Sequence, residues 1–114
     1  MIAVIFEVEP HADHVSAYFD LAGALKSELS KIDGFISVER FESVTTPGKF
    51  VSLSFWRDEE ALAEWRSLAR HRAAQTAGRT RMFAGYRLRV AAVIRDYGLE
   101  DRTQAPEDSR ALHG

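Results

Sequence analysis

The 114-residue sequence predicts an α+β fold in which two helices cover one face of a four-stranded antiparallel sheet. Four segments alternate apolar and polar residues with the two-residue period of a strand. Two longer segments repeat apolar residues at three- and four-residue spacing, as amphipathic helices do. The segments follow one another in the order β-α-β-β-α-β, and glycine, proline or capping residues separate them.

The first strand is predicted from Ile2 to Val8, and Pro10 ends it. Its residues Ile2, Val4, Phe6 and Val8 share one face. The other face begins apolar and becomes acidic further along the strand. A strand that is apolar on both sides is expected to be covered on both sides.

The first helix is predicted from about Asp13 to Ile32, because Asp13 suits an N-cap and Gly34 lies where the helix should stop. Gly23, in its middle, is expected to lower helix stability by about 1 kcal/mol relative to alanine. One apolar stripe runs along this helix and consists of Val15, Tyr18, Phe19, Ala22, Leu25, Leu29 and Ile32.

Two further strands, Phe35 to Ser43 and Phe50 to Trp56, are predicted to form a hairpin around the turn Thr45-Thr46-Pro47-Gly48. In the second strand, strict alternation assigns Phe35, Ser37, Glu39 and Phe41 to one face and Ile36, Val38, Arg40 and Glu42 to the other. In the third strand it assigns Val51, Leu53 and Phe55 to one face and Phe50, Ser52, Ser54 and Trp56 to the other.

A second helix is predicted to begin after the N-cap Asp58 and to end at Gly78. Its inward stripe consists of Ala61, Leu62, Trp65, Leu68, Ala69 and Ala73. A long fourth strand is predicted from Phe83 to Tyr97. Residues 99–114 carry few apolar side chains, so we expect a loose polar tail outside a domain of residues 1–98.

This order of elements is typical of the ferredoxin-like, split βαβ arrangement. Two helices cover one face of such a sheet, and the chain has no further segment to cover the other face. That second face still carries apolar side chains, which a second copy of the chain would bury. The sequence therefore predicts a homodimer.

Composition excludes several classes of protein. The chain has no cysteine, which excludes a disulfide framework, a thiolate nucleophile and a sulfur-ligated metal. No stretch approaches the ~20 apolar residues of a membrane span, and no signal-like amino terminus is found, so we expect a soluble, cytoplasmic protein. Glycine-rich phosphate loops, nucleophile elbows and dinucleotide fingerprints are also missing from the sequence, which predicts no standard organic cofactor.

Charge is unevenly distributed along the chain, because residues 57–95 contain nine arginines and four acids. A basic segment of this kind raises the question of nucleic-acid binding. The arginines, however, alternate with acids at the start of a helix or are spaced along a strand, and no nucleic-acid-binding motif surrounds them. We expect no nucleic-acid partner.

The candidate catalytic residues are Trp65 and His71. Trp65 belongs to the inward stripe of the second helix, where a flat side chain can wall a pocket. His71 follows six residues later, which is about 240° around a regular helix and therefore on another side. Both would reach one cavity if the helix kinked or restarted between Ser67 and His71. Otherwise Trp65 is a core residue and His71 is solvated.

Arg87 and Arg89 lie on one face of the fourth strand and have two interpretations. A guanidinium there would bind an anion or a phenolate. Alternatively, the two arginines pair across strands with Glu39, Glu7 or Glu9, which is the interpretation that the spacing favours.

His11 and His14 flank the start of the first helix. Their spacing could place two imidazoles near one metal ion, but the sequence offers no third ligand nearby. We expect no metal site.

One stretch resembles a known family. The segment FWRDEEALAEW from Phe55 to Trp65, with His71-Arg72-Ala73-Ala74-Gln75 after it, resembles the third-strand and second-helix region of the antibiotic biosynthesis monooxygenase family. The segments Tyr86-Arg87-Leu88-Arg89-Val90 and Arg95-Asp96-Tyr97-Gly98 resemble that family's last strand. The resemblance covers residues 1–98.

This resemblance implies a dimeric α+β barrel, in which the sheets of two subunits close on each other and each subunit holds a pocket between helices and sheet. Characterised relatives oxygenate quinols and aromatic polyketides without metal or flavin. A second branch binds haem and opens the macrocycle, using a helical tryptophan and histidine with an asparagine from the first strand. Trp65 and His71 match the first two, but this chain contains no asparagine, which puts haem degradation in doubt.

The sequence and this resemblance are compatible with three functions. The first is a cofactor-independent monooxygenase that combines a small phenolic, quinol or polyketide-like aromatic substrate with molecular oxygen. The second is a haem-binding or haem-degrading protein with His71 as the iron ligand. The third is a non-catalytic dimeric ligand-binding module. For the first, the predicted catalytic and substrate-binding residues are His71, Trp65, Trp56, Phe55, Arg87 and Phe6.

Overall fold

The computed structural model of the chain describes the backbone of residues 1–75 and 82–114 and the side chains of residues 1–69 and 82–114. The described elements are strand β1 (Ile2–Pro10), helix α1 (Val15–Leu29), strands β2 (Phe35–Glu42) and β3 (Phe50–Trp56), helix α2 (Glu59–Gln75), strand β4 (Phe83–Ala92) and helix α3 (Glu107–His113). A single 3-10 turn, Ala12–His14, precedes α1. The predicted α+β class and the order of its first six elements are confirmed.

The four strands form one antiparallel sheet in the order β2-β3-β1-β4, as the ferredoxin-like arrangement requires. The register aligns Arg40 with Ser52, Ser52 with Phe6, and Phe6 with Leu88. These four residues form one row across the sheet, called the central row below. Because side chains alternate, the row lies on the same face as Val4 and Val8, the face that α1 and α2 cover.

The opposite side of the sheet, called the outer face below, carries the residues between those of the first face. Half-buried apolar side chains lie in its middle, including Ile5, Leu53 and Phe55. Charged side chains lie towards one end, where the carboxylate of Glu7 forms ion pairs with Arg89 and Lys49. None of the described helices is long and apolar enough to span a membrane.

Two clusters of buried residues hold the helices to the sheet. One consists of Val4, Leu29, Ile32, Trp56, Ala61 and Leu62, and the other of Val8, Tyr18, Phe50 and Met82. Trp56 is 1% exposed, and its indole N–H donates a hydrogen bond of 2.9 Å to the hydroxyl of Ser54. Burying large apolar side chains of this kind contributes about 1.5–3 kcal/mol each, so the clusters fix both helices on the sheet.

The corner between α1 and β2 also sets the start of α2. Gly34 has φ +93°, and its carbonyl accepts a hydrogen bond of 2.7 Å from the backbone N–H of Arg57. Asp58 then caps α2, because its carboxylate accepts the backbone N–H of Ala61 at 3.0 Å. This bond and the neighbouring Arg57 guanidinium hold the pKa of Asp58 below its ordinary value. The predicted roles of Gly34 and Asp58 agree with these contacts.

Strand β2 departs from strict alternation at its beginning. Phe35 is aligned with Trp56, but the next aligned pair is Ser37 with Phe55, so Ile36 is an extra residue. Phe35 therefore packs against Trp56 on the helix-covered side, with ring centroids 5.3 Å apart. The prediction that Phe35 shares a face with Ser37 was wrong, because the bulge changes the phase of the strand.

Strand β4 ends at Ala92, earlier than the predicted Tyr97. The reason is its partner: β1 begins at Ile2, and the N–H of Val93 donates the last bond of this edge to the carbonyl of Met1. A periodic pattern predicts that a strand will form but not where its partner ends.

Residues 99–114 differ from the loose tail that their composition suggested, because they include α3. The guanidinium of Arg102 donates hydrogen bonds to the carbonyls of Gly114 and Gly98 and to the hydroxyl of Ser109, at 2.7, 3.2 and 2.6 Å. It also lies over the ring of Tyr97, 5.2 Å from its centroid. One arginine thus organises a segment that lacks a large apolar core. The domain boundary at residue 98 stays a prediction.

Candidate functional site

A cavity of about 350 Å³ lies between the sheet and the two long helices. The sheet contributes the whole central row together with Val4 and Val38, and Phe83 adds a wall at the start of β4. Helix α1 contributes Tyr18, Leu21, Ala22, Leu25 and Leu29, and α2 contributes Trp65 and Ala69. A mostly apolar cleft of this volume is within the range of small-molecule sites.

Trp65 forms a flat wall of the cavity. It is half-buried, and its ring stacks on the buried ring of Trp56, with centroids 6.5 Å apart and planes at 29°. Trp56 does not line the cavity itself. The two predicted site residues therefore have different roles, because Trp56 supports from behind the surface that Trp65 presents to a ligand.

Phe6, from the central row, forms part of the floor. Its ring packs against Phe83 at 6.1 Å and against Tyr86 at 5.8 Å between centroids. Phe83 in turn packs edge-on against Tyr18 of α1 at 5.9 Å. These contacts close one end of the cavity with aromatic rings, and the structure thus brings Phe6 and Trp65 together as lining residues.

Among the described lining side chains, Tyr18, Arg40, Ser52 and Trp65 carry a polar group, which in Trp65 is the indole N–H. The Nε atom of Arg40 is buried and has no hydrogen-bond partner, and none of the described ion pairs involves its guanidinium. No carboxylate is among the lining residues that the structure describes. Arg40 was not among the predicted site residues. The signal for it was a basic residue on the same face of β2 as Val38.

Phe55 and Arg87 lie on the outer face and do not reach this cavity. Of the predicted site residues, Phe55 therefore does not line the cavity that Trp65 lines. Arg87 lines a shallow cleft beside Glu7, Lys49 and Arg89. Hydrogen bonds from Arg89 and Lys49 hold the pKa of the Glu7 carboxyl below its ordinary value. For Arg89, the structure thus agrees with the cross-strand pair that the spacing favoured.

His71 belongs to α2, but its side chain lies outside the described residues. The helix continues without a break from Glu59 to Gln75. A restart of the helix between Ser67 and His71, one of the two ways to bring His71 and Trp65 to one cavity, is therefore not found. The catalytic role of His71 stays a prediction.

His11 and His14 lie next to each other, with ring centroids 6.1 Å apart. The Nδ1 atom of His14 is buried without a hydrogen-bond partner, whereas His11 is exposed. Among the residues with described positions, no group of three or more histidine, aspartate or glutamate side chains could hold a metal ion.

The family of this chain follows from sequence comparison. A model of the antibiotic biosynthesis monooxygenase family matches residues 1–77, which is more than half of the chain. The chain belongs to this family. The matched span contains β1, α1, β2, β3 and all of α2. It therefore includes the floor, the helical walls and Arg40, and the resemblance predicted from residues 55–75 is confirmed.

Relatives with known names support this assignment. The chain is 46% identical over 93 residues to the jasmonate monooxygenase of Pyricularia oryzae, and the match covers 82% of this chain and 43% of that protein. The chain thus spans less than half the length of this fungal relative. Among solved structures, Rv0793 of Mycobacterium tuberculosis has a TM-score of 0.72 and 26% identity, with 85% of this chain and 98% of that chain covered.

A protein solved with bound metalloporphyrin shares the fold. A variant of MhuD, solved with two manganese protoporphyrin IX molecules per active site, has a TM-score of 0.67 and covers 86% of this chain and 99% of its own. Its identity to this chain is 18%, which establishes a common fold and no more. The described lining residues here include no histidine, cysteine or methionine, so of the predicted residues only His71 would ligate a haem iron.

Proposed function

We propose that this chain is a monooxygenase that oxidises a small phenol or quinol with molecular oxygen inside the cavity of the helix-covered face. The observation that carries the proposal is the lining of that cavity. Aromatic and aliphatic side chains make up most of its described part, with Trp65 and Phe6 among them, and the polar groups of Tyr18, Arg40 and Ser52 lie between them. Family membership supports the class of reaction.

The reaction we propose is one for which the substrate supplies all the electrons. A phenolate gives one electron to dioxygen, and the resulting radical pair joins in a C–O bond at a ring carbon that carries hydrogen. The peroxide then loses water, and a quinone carbonyl remains. Overall, one phenol with that C–H bond and one dioxygen give one quinone and one water, so no external reductant is consumed.

The protein's part is to bind, orient and desolvate. The ring of Trp65, held by Trp56, offers a flat surface against which an aromatic substrate can stack. Aliphatic residues of α1 exclude water, which strengthens electrostatic interactions inside the cavity. Positive charge at the wall favours the ionised substrate, the electron-rich form that reacts with oxygen.

Oxygen uptake tests this proposal. Purified protein is mixed with a panel of hydroquinones and naphthols, and with jasmonate because of the fungal relative's name, in an oxygen-electrode cell. We expect uptake above autoxidation, with one water and one quinone formed per oxygen for a reactive phenol. Uptake no faster than with heat-unfolded protein would contradict the proposal and favour a non-catalytic ligand-binding module.

Variants test which residues contribute to the proposed reaction. Trp65→Ala removes the stacking surface and is expected to lower kcat/KM by at least about tenfold, since one aromatic contact contributes about 0.5–1.5 kcal/mol beyond its buried area. Leu112→Ala, on the exposed side of α3, is the matched control. His71→Ala tests the other predicted catalytic residue, and unchanged rates would remove it from the mechanism.

Haem binding is tested separately. Addition of haem to the protein should leave the Soret band of free haem unshifted if the phenol reaction is correct and the site holds no porphyrin. A shifted Soret band that disappears in His71→Ala would instead support the haem alternative, since His71 is the predicted iron ligand.

We also propose that two copies associate through their outer faces. The half-buried Ile5, Leu53 and Phe55 support this arrangement, because association would remove their remaining apolar surface from water. Sedimentation equilibrium is expected to give a dimer, and Leu53→Lys is expected to give monomers. A wild-type protein that sediments as a monomer would contradict the dimeric barrel.

A further inference from the structure

Arg40 supplies the positive charge at the cavity wall, and its surroundings bear on the kind of ligand that the cavity binds. Its Nε atom is buried, it has no hydrogen-bond partner, and its guanidinium takes part in no described ion pair. The side chain as a whole is half-buried, and charged groups that are withdrawn from water in proteins are normally paired. The same sheet provides the contrast, because Arg89 on the outer face is paired with Glu7.

The surroundings of Arg40 direct its charge towards the cavity. The cross-strand neighbour Ser52 also lines the cavity, so a hydroxyl and a guanidinium lie side by side in the central row. The nearest acid on the same face of β2 is Glu42, which is exposed and accepts a bond from the N–H of Gly48 at 3.4 Å. Of the described lining residues, Tyr18 is the other one that can titrate. No described acid occupies the position of a partner.

We infer that Arg40 and Ser52 form an oxyanion-binding subsite, which selects ligands with an apolar body and one negatively charged oxygen group. The inference rests on the proposed use of this cavity as the substrate site. Two sources of the anion share this chemistry, a carboxylate substituent and the phenolate itself. A carboxylate is the better fit, because the planar fork of a guanidinium binds two carboxylate oxygens at once.

Such a subsite also determines which walls the rest of the ligand contacts. With the anion at Arg40, the apolar body of the ligand lies along Phe6 and Leu88 of the central row and against Trp65. The charge thus fixes the orientation of the ligand, and the aromatic wall determines which part of it is held away from water.

Binding of a matched pair of probes tests the inference without turnover. 1-Naphthoate and the neutral 1-naphthamide have nearly the same shape, and titration calorimetry measures both. We expect naphthoate to bind wild-type protein at least about tenfold more tightly than naphthamide, which corresponds to about 1.4 kcal/mol. In Arg40→Leu this preference should disappear, while naphthamide binding changes by less than about threefold. Arg95→Gln, an exposed arginine beyond β4, is the matched control and should keep the preference.

Equal affinities for the two probes in the wild-type protein, or a preference that survives in Arg40→Leu, would overturn the inference. If the leucine variant fails to fold, Arg40→Met keeps most of the apolar stem, and Arg40→Lys keeps the charge without the fork. Arg40→Lys is expected to bind naphthoate with intermediate affinity. Thermal unfolding of Arg40→Leu should occur at a similar temperature, since the guanidinium makes no described hydrogen bond or ion pair that the variant would remove.

A second probe distinguishes a carboxylate from a phenolate as the group that the subsite binds. 4-Nitrophenolate, titrated by its visible absorbance at a pH where it is ionised, should also bind less tightly to Arg40→Leu if phenolates use the subsite. Dependence on Arg40 for naphthoate alone assigns the subsite to carboxylates, and dependence for both probes shows that phenolates use it as well. Oxygen uptake is measured independently, so a protein that binds naphthoate through Arg40 but consumes no oxygen would refute the proposed reaction and retain the subsite.

Discussion

Gly34→Ala tests how the corner between α1 and β2 positions the helix that carries Trp65. Gly34 has φ +93°, a conformation that destabilises an L-residue by about 1–2 kcal/mol. A Cβ atom at this position would lie 2.8 Å from the Cβ of Ala61, closer than real Cβ contacts, so α2 must move away from the corner. Overpacking of this kind adds about 1–3 kcal/mol. We therefore expect a total loss of about 2–5 kcal/mol in the free energy of unfolding.

Urea unfolding, followed by tryptophan fluorescence, measures this loss. Gly48→Ala is the matched control, because Gly48 has φ +83° but nothing within 4 Å of an added Cβ, so it should lose only the conformational part. In a double-mutant cycle, Ala61→Gly should restore the steric part in the Gly34→Ala background. Equal losses for the two glycine variants, with no coupling between residues 34 and 61, would refute the steric account of this corner.

Three further variants test other contacts. Gly23→Ala should raise the free energy of unfolding by about 0.5–1 kcal/mol, because a Cβ there meets nothing within 4 Å, and an unchanged urea midpoint would contradict this. Ser54→Ala leaves the buried indole N–H of Trp56 without its acceptor and should lower the free energy of unfolding by about 1–3 kcal/mol in the same assay. The pKa of Asp58 is lowered in the folded protein, first by the hydrogen bond from the Ala61 N–H. This carboxylate therefore stabilises the fold at pH values above its unfolded-state pKa of about 3.9, and the stabilisation is lost as the pH falls through the folded-state pKa. Asp58→Asn should therefore flatten the acid limb of stability against pH.

The order of elements was predictable because each one has a complete local signal. Apolar spacing showed the periods, and Gly34 and Asp58 marked the ends of helices. What a single sequence does not contain is the pairing between strands. Where β4 stops depends on where β1 starts, and the phase of β2 depends on the bulge at Ile36. These features were missed because both are set by contacts between distant residues.

The candidate site was predicted in part for the same reason. Trp65 and Phe6 lie in the middle of regular patterns, so their inward direction could be read from the sequence. Arg40 could not be selected in this way. Strict alternation divided the apolar residues of β2 between its two faces, with Phe35 on one and Val38 on the other, so the sequence did not indicate which face the helices cover.

Arg40 and Arg89 show why position, rather than residue type, separates a ligand-binding charge from a structural one. Both side chains project from the same sheet, but in opposite directions. On the outer face, Arg89 has an acidic partner whose pKa it lowers, so its charge is already balanced within the protein. On the helix-covered face, Arg40 adjoins a cavity in which no described carboxylate balances it. An anionic ligand is then the group that would complete the electrostatics of this site, and the affinity of that ligand should be lost when the guanidinium is removed.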